Sequence, residues 1–171
     1  MIPVLTTDRL TLGPLTLDHF EAFANFYASD RSRFVGGIKT RSQSWRQLAT
    51  EIGHWSLLGY GKFSVTETAT GQCVGAVGPW NPEGWPEPEI GWDLWEGYEG
   101  KGYATEAARA VRNWCYTSLG WSTAISLVHP DNPGSAAVAR RLGCTYEGLH
   151  DLDPHGVVQI WRHPSPQEIA A

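Results

Sequence analysis

Cysteine is scarce: Cys73, Cys115 and Cys144 are the only three in 171 residues. The count is odd and no pair has metal-ligand spacing. A disulfide framework and a zinc finger are thereby excluded, and buried thiols in a reducing compartment are expected, with no metal. Basic residues are also few. Thirteen Lys and Arg against eighteen Asp and Glu leave a formal charge of −5. That argues against a nucleic-acid partner, whose binders carry a basic face, and leaves room for a cationic amine. No apolar run approaches the roughly 20 residues that cross a bilayer, so no membrane partner is expected. Met1-Ile2-Pro3-Val4-Leu5-Thr6 has no basic segment followed by an apolar one. No signal peptide is expected, and the expected address is cytoplasmic.

What remains is globular in composition, and the length suits one domain with a real core. Tryptophan is plentiful, with nine spread along the chain at no fixed period. Most should pack in the core, and a few should line a pocket.

Periodicity gives the order of elements. Arg9 to Leu12 alternates as a first strand. Leu17 to Ala28 and Ser42 to Leu58 have helical spacing, with a polar loop from Asp30 to Thr40 between them. His54 is expected to face solvent. Gly61–Glu67 and Gln72–Val77 read as a hairpin whose Val65, Val74 and Ala76 face the core, and Gly75 marks a close backbone approach. Gly78 to Pro88 holds four prolines and two tryptophans, and is expected to be neither helix nor paired strand. Glu89 to Trp95 is a fourth strand and Thr123 to Val128 a fifth. Asn132 should cap a helix beginning at Pro133, with Val138 and Leu142 on its inward face. Cys144–Leu149 and Val157–Trp161 close the chain as a strand pair. Residues 1–163 form one domain, and 164–171 should be a loose tail.

The most informative text is Trp95-Glu96-Gly97-Tyr98-Glu99-Gly100-Lys101-Gly102-Tyr103-Ala104-Thr105-Glu106-Ala107. It follows a strand and opens a helix carrying Ala104, Ala107, Ala108, Val111, Cys115 and Leu119 at helical spacing. Glycines let the backbone approach a ligand, and the first helical amides have no internal partner. The local physics is strand, anion-cradling loop, helix. A P-loop is excluded because Gly97 stands only three residues before Gly100, and Gly102 replaces the Ser or Thr after the lysine. A dinucleotide fingerprint is excluded because Thr105 stands where its third glycine belongs.

Glu99-Gly100-Lys101-Gly102-Tyr103-Ala104 resembles the Gln/Arg-x-x-Gly-x-Gly/Ala signature of the GNAT N-acetyltransferases. With Glu89-Ile90-Gly91-Trp92 ahead of it, the text is similar to the branch that acetylates ribosomal-protein N-termini. The resemblance extends from about Leu5 to His163. It departs at Glu99, where Gln or Arg is usual and where a carboxylate would stand near a diphosphate. The resemblance implies an α/β (α+β) fold: a mixed, mostly antiparallel sheet, splayed between its fourth and fifth strands, with flanking helices.

It also implies acetyl-coenzyme A as cosubstrate, no metal, and an amine acceptor that is a small molecule or a protein N-terminus. Backbone at Trp92, Asp93 and Leu94 would pair with the pantetheine arm. Glu99, Gly100, Lys101, Gly102, Tyr103 and Ala104 would surround the diphosphate, while Asn132 would bond the pantetheine arm or cap its helix and Ser135 would reach the sulfur. Tyr27, Phe34, Trp45, Trp80 and Trp85 are the acceptor-site candidates.

Acyl transfer to an amine needs a base and benefits from a proton donor to the leaving thiolate. Glu89 is the base candidate, with Glu87, Asp93 and His150 behind it. Many relatives place a tyrosine seven residues after the motif asparagine, but Ala139 stands there. Ser135, three residues after Asn132, is the donor candidate. The alternative is a non-catalytic acyl-coenzyme A binding module of the same fold. Either a monomer or a homodimer is compatible with the sequence.

Overall fold

Leu10 and Leu12 are fully buried, and Thr11 between them is not. That alternation starts an eight-stranded sheet in the computed structural model, which describes residues 1–171. The chain runs β1 (Leu5–Thr6), β2 (Leu10–Pro14), α1 (Phe20–Ala28), α2 (Arg41–Leu58), β3 (Phe63–Glu67), β4 (Gln72–Trp80), β5 (Glu89–Leu94), α3 (Tyr103–Ser118), β6 (Ile125–Val128), α4 (Pro133–Arg141), β7 (Thr145–Leu152), β8 (Gly156–Arg162) and α5 (Pro166–Ala170). The spatial order is β1-β2-β3-β4-β5-β6-β8-β7. All neighbours are antiparallel except β5 and β6.

Helix α3 buries Ala107, Ala108, Val111 and Cys115 completely, against Leu10, Phe63, Val65 and Ile90 of the sheet. Removing each large apolar side chain from water contributes about 1.5–3 kcal/mol. The opposite face carries Phe23, Phe26 and Tyr27 of α1 and Leu48 of α2, packed on Ala76 and Trp95. The β3–β4 register skips Val74, because Val65 pairs with Gly75 and Thr66 with Cys73. This bulge reverses the alternation. Val74 and Val77 therefore join the α3 side, whereas Ala76 joins the α1 side. Val65, Val74 and Ala76 are all buried as expected, but Ala76 lies on the face opposite the other two.

Gly75 does mark a close approach. A Cβ there would lie 2.2 Å from the Asp93 carbonyl oxygen on β5. β4 continues through Pro79 to Trp80, contrary to the expectation that 78–88 avoids strand pairing. β3 stops pairing at Val77, so at Pro79 the strand has only β5 beside it. That is the edge condition under which proline is tolerated. β1 is too short to show any period. The tail expected to be loose instead forms α5, with Ser165 and Glu168 in a reciprocal cap. On α4 the buried positions are Ala136 and Ala139, followed by Leu142, and Val138 is only half-buried.

The sheet parts at its middle. β5 pairs with β4 along its whole length, but with β6 only at Glu89↔Ile125. β6 then follows β8 instead. The Ile90 carbonyl at the parting accepts a 2.6 Å hydrogen bond from Ser126 Oγ, itself 2.9 Å from buried His163 Nε2. Burial depresses His163 to about 3, so it stays neutral and serves as a fixed prop.

Candidate active site

Beyond Leu94 the chain turns through Gly100 and Gly102, whose φ angles are +76° and +82°. Only glycine adopts that conformation without strain, and Gly102 uses it to cap α3. No amide from Gly100 to Gly102 donates to a backbone carbonyl. The first amides of α3 have no intrahelical acceptor either, and the helix dipole adds positive potential there. This cradle fits a diphosphate. It forms one wall of a groove of about 1240 Å³. Trp92, Asp93, Leu94, Glu99, Gly100, Lys101, Gly102, Tyr103, Ala104, Asn132 and Ser135 all line that groove, as the sequence text implies.

Side chains fix the cradle from behind. Tyr103 OH donates to Glu67 on β3, so its identity matters more than a backbone-only role implies. Glu106 accepts from Thr7 Oγ1 at 2.6 Å, Arg9 N at 3.0 Å and Arg9 Nε at 2.7 Å. It ties α3 to the start of β2, which the helix dipole alone did not require. Glu99 is held by Arg31 at 2.8 Å, and the same guanidinium donates to Leu94 O at 3.0 Å.

A second cavity of about 530 Å³ opens on the other side of the parting. Tyr27, Phe34, Trp80 and Trp85 line it, so four of the five acceptor-site candidates come together. Trp45 does not; it is 53% exposed on the outer face of α2. His54 does not face solvent. It is buried, stacked on Trp80, with Nδ1 2.6 Å from Tyr60 O and Nε2 accepting from Asn81 N at 3.1 Å. Those two bonds anchor the start of the proline-rich loop.

Glu89 lies in this cavity's wall and is 9% exposed. Trp85 Nε1 donates to its Oε2 at 2.6 Å, and Leu127 N to its Oε1 at 3.2 Å. Burial pushes its carboxyl above the ordinary range, against those two hydrogen bonds. A carboxylate so raised is better matched to accepting a proton near neutrality. The fallback groups are engaged elsewhere. Glu87 is paired with Arg162, Asp93 with Lys62, and His150 lines neither cavity.

Beneath Glu89 lies a buried charge cluster that the sequence pattern did not single out. Lys62, immediately before β3, donates to Asp93 on β5 and stands 3.5 Å from Glu51 on α2. Burial works to lower the Lys62 ammonium, but Asp93 and Glu51 together lift it well above its ordinary value. Glu51 was findable: Leu48, Glu51 and Trp55 share one helical face, and all three are buried. The positions of Lys62 and Asp93 gave no comparable signal.

The two cavities meet. Phe34, Trp92, Asn132 and Ser135 line both. At the junction Trp92 Nε1 donates to Ser135 Oγ at 3.2 Å, and Asn132 Oδ1 accepts from Ser135 N at 3.1 Å.

A sheet parted beside an anion cradle, with a long groove running into a second cavity, is the architecture of an acyltransferase. The chain belongs to the GNAT acetyltransferase family, whose domain model matches residues 9–145. It is similar to the acetyltransferase from Agrobacterium tumefaciens str. C58: 39% identity, 95% of each chain and a TM-score of 0.88. The N-acetyltransferase p20 of Bacillus licheniformis is 28% identical over 85% of this chain and 84% of its own length. The Salmonella typhimurium enzyme that modifies the N-terminal serine of ribosomal protein L7/L12 shares the fold, with a TM-score of 0.80. Its identity is 15%, over 95% of this chain and 99% of that one.

Proposed function

We propose that the protein transfers the acetyl group of acetyl-coenzyme A to a primary amine by direct attack in a ternary complex. The junction of the two cavities at Trp92 and Ser135, with Glu89 on the acceptor side, carries this assignment. The donor lies in the larger groove, its diphosphate against the amides from Gly100 to Ala104. The acceptor enters the aromatic cavity as an ammonium ion and gives one proton to Glu89, becoming a neutral amine. Its nitrogen then bonds to the thioester carbonyl carbon to give a tetrahedral adduct, and the nitrogen passes a second proton to solvent. The carbon–sulfur bond breaks, the thiolate takes a proton from Ser135 Oγ, and Glu89 releases its proton to solvent. Ser135 recovers its proton from solvent.

The site residues make each role chemically reasonable. Glu89 is desolvated but keeps oxygen lone pairs beyond those used by Trp85 and Leu127. The Ser135 hydroxyl accepts from Trp92 Nε1, while Asn132 Oδ1 accepts from the Ser135 backbone amide. The acceptor is a small amine or a protein N-terminus. The aromatic walls of the cavity, Tyr27, Phe34, Trp80 and Trp85, are compatible with either.

Release of free thiol from acetyl-coenzyme A on adding primary amines to the purified protein tests the assignment. Amine-dependent release is expected. Binding of coenzyme A with no release for any amine would leave the non-catalytic module as the function. Ser135→Ala is expected to lower kcat by about 10- to 100-fold, within the range of general-acid effects. A loss below about twofold in the same assay would move the proton delivery to solvent.

A further inference from the structure

We propose that Arg31 is a diphosphate-binding residue of the donor groove whose charge also compensates Glu99. The inference rests on acetyl-coenzyme A occupying that groove. It starts from the one position at which the signature text departs from its family pattern. Glu99 puts a carboxylate immediately before the Gly100–Ala104 cradle, where Gln or Arg is usual. An uncompensated carboxylate there would repel a diphosphate across a short, partly desolvated distance.

The fold supplies the missing cation from elsewhere. Arg31 sits in a short 3₁₀ turn, Asp30–Phe34, between α1 and α2. Its Nη1 donates to Glu99 Oε1 at 2.8 Å and its Nη2 to Leu94 O at 3.0 Å. The guanidinium is thus tied to both ends of the segment that joins β5 to the cradle. It lines the groove, and its side chain remains 31% exposed there. Arginine carries five N–H donors and only two are engaged; Nε is buried, which leaves the second hydrogens of Nη1 and Nη2 for a ligand. A planar fork with free donors, fixed beside an anion cradle, is suited to phosphate oxygens.

Of the other cations that line the groove, Arg9 and Arg33 are ion-paired, and Lys101, Arg109 and Arg141 are not. Arg31 alone is tied to Glu99. Arg9 is bound to Glu106 and to Lys101 O. Arg33 is bound to Asp30. Lys101 lies over the Tyr98 ring. Arg31 therefore offsets the Glu99 carboxylate while it presents its remaining donors to the groove.

Calorimetric titration of the full-length protein with coenzyme A, at one low salt concentration, tests this. Arg31→Ala is expected to raise Kd by about tenfold or more. Arg31→Lys keeps the charge without the fork and is expected to lie between that variant and wild type. Glu99→Gln removes the carboxylate and frees Arg31, so tighter binding is expected. The double variant should bind better than Arg31→Ala and more weakly than Glu99→Gln.

Arg31→Ala binding within about twofold of wild type would overturn the proposal. So would a double variant equal to Glu99→Gln, because Arg31 would then only mask the carboxylate. Weakening by Glu99→Gln as large as that by Arg31→Ala would reduce the pair to a structural clasp and overturn it too. Wild-type protein that does not bind coenzyme A would sink the donor assignment itself, a result separate from all of these.

Discussion

Glu89→Gln is expected to lower kcat at neutral pH by about 10²- to 10³-fold and to leave acetyl-coenzyme A binding in place. The substitution keeps the shape of the side chain and one acceptor oxygen, so one of the two bonds from Trp85 and Leu127 persists. It removes the group that takes the amine's proton. The pH profile separates this from a packing effect. Burial raises Glu89, so the catalytically competent carboxylate is lost as pH falls through a value above the ordinary glutamate range. Wild-type kcat should decline along that acidic limb, and the variant should lack the limb. Steady-state rates against pH, with the donor saturating, decide the matter. An unchanged kcat, or an identical limb in the variant, would take Glu89 out of the mechanism.

Lys62→Met should destabilise the fold by about 3–5 kcal/mol at neutral pH, the usual consequence of stranding buried charges. Asp93 and Glu51 are almost fully buried, and Lys62 is the cation between them. The direction with pH follows from Glu51. Burial already raises it, and Lys62 is the largest influence holding it down. Without Lys62 its folded pKa rises further above the unfolded value. Such a group binds protons more tightly when folded, so stability falls as pH rises. The deficit against wild type should therefore be largest at neutral pH and shrink under mildly acidic conditions. Urea unfolding of both proteins at several pH values measures it. A deficit under about 1 kcal/mol, or one independent of pH, would mean that the cluster is solvated rather than buried.

Much of the fold is legible in the chain itself. The α3 stripe from Ala104 to Cys115, the Asn132-Pro133 helix start and the glycines of the cradle are local signals, written within one or two turns of backbone. The groove residues follow from them, because backbone amides line it and the turn is set by Gly100 and Gly102. Errors arise where a neighbour far along the chain overrides a local rule. Pro79 joins a strand because β3 has already ended beside it. Val74 and Ala76 face opposite sides because a bulge intervenes. His54 is buried because Tyr60 and Asn81 satisfy both ring nitrogens. Trp45 looks like a pocket residue by type, but the orientation of α2 turns it outward.

The α3 stripe, the glycine turn and most of the element order are written in the chain, since these depend on contacts between near neighbours. Only the tertiary structure decided which charges face one another. Arg31 meets Glu99 across 68 positions, and Lys62 meets Asp93 across 31. Periodicity reports which face of an element is buried. Coulombic pairing depends on separations of a few ångströms, which are set when the sheet, its bulge and its parting bring distant segments together.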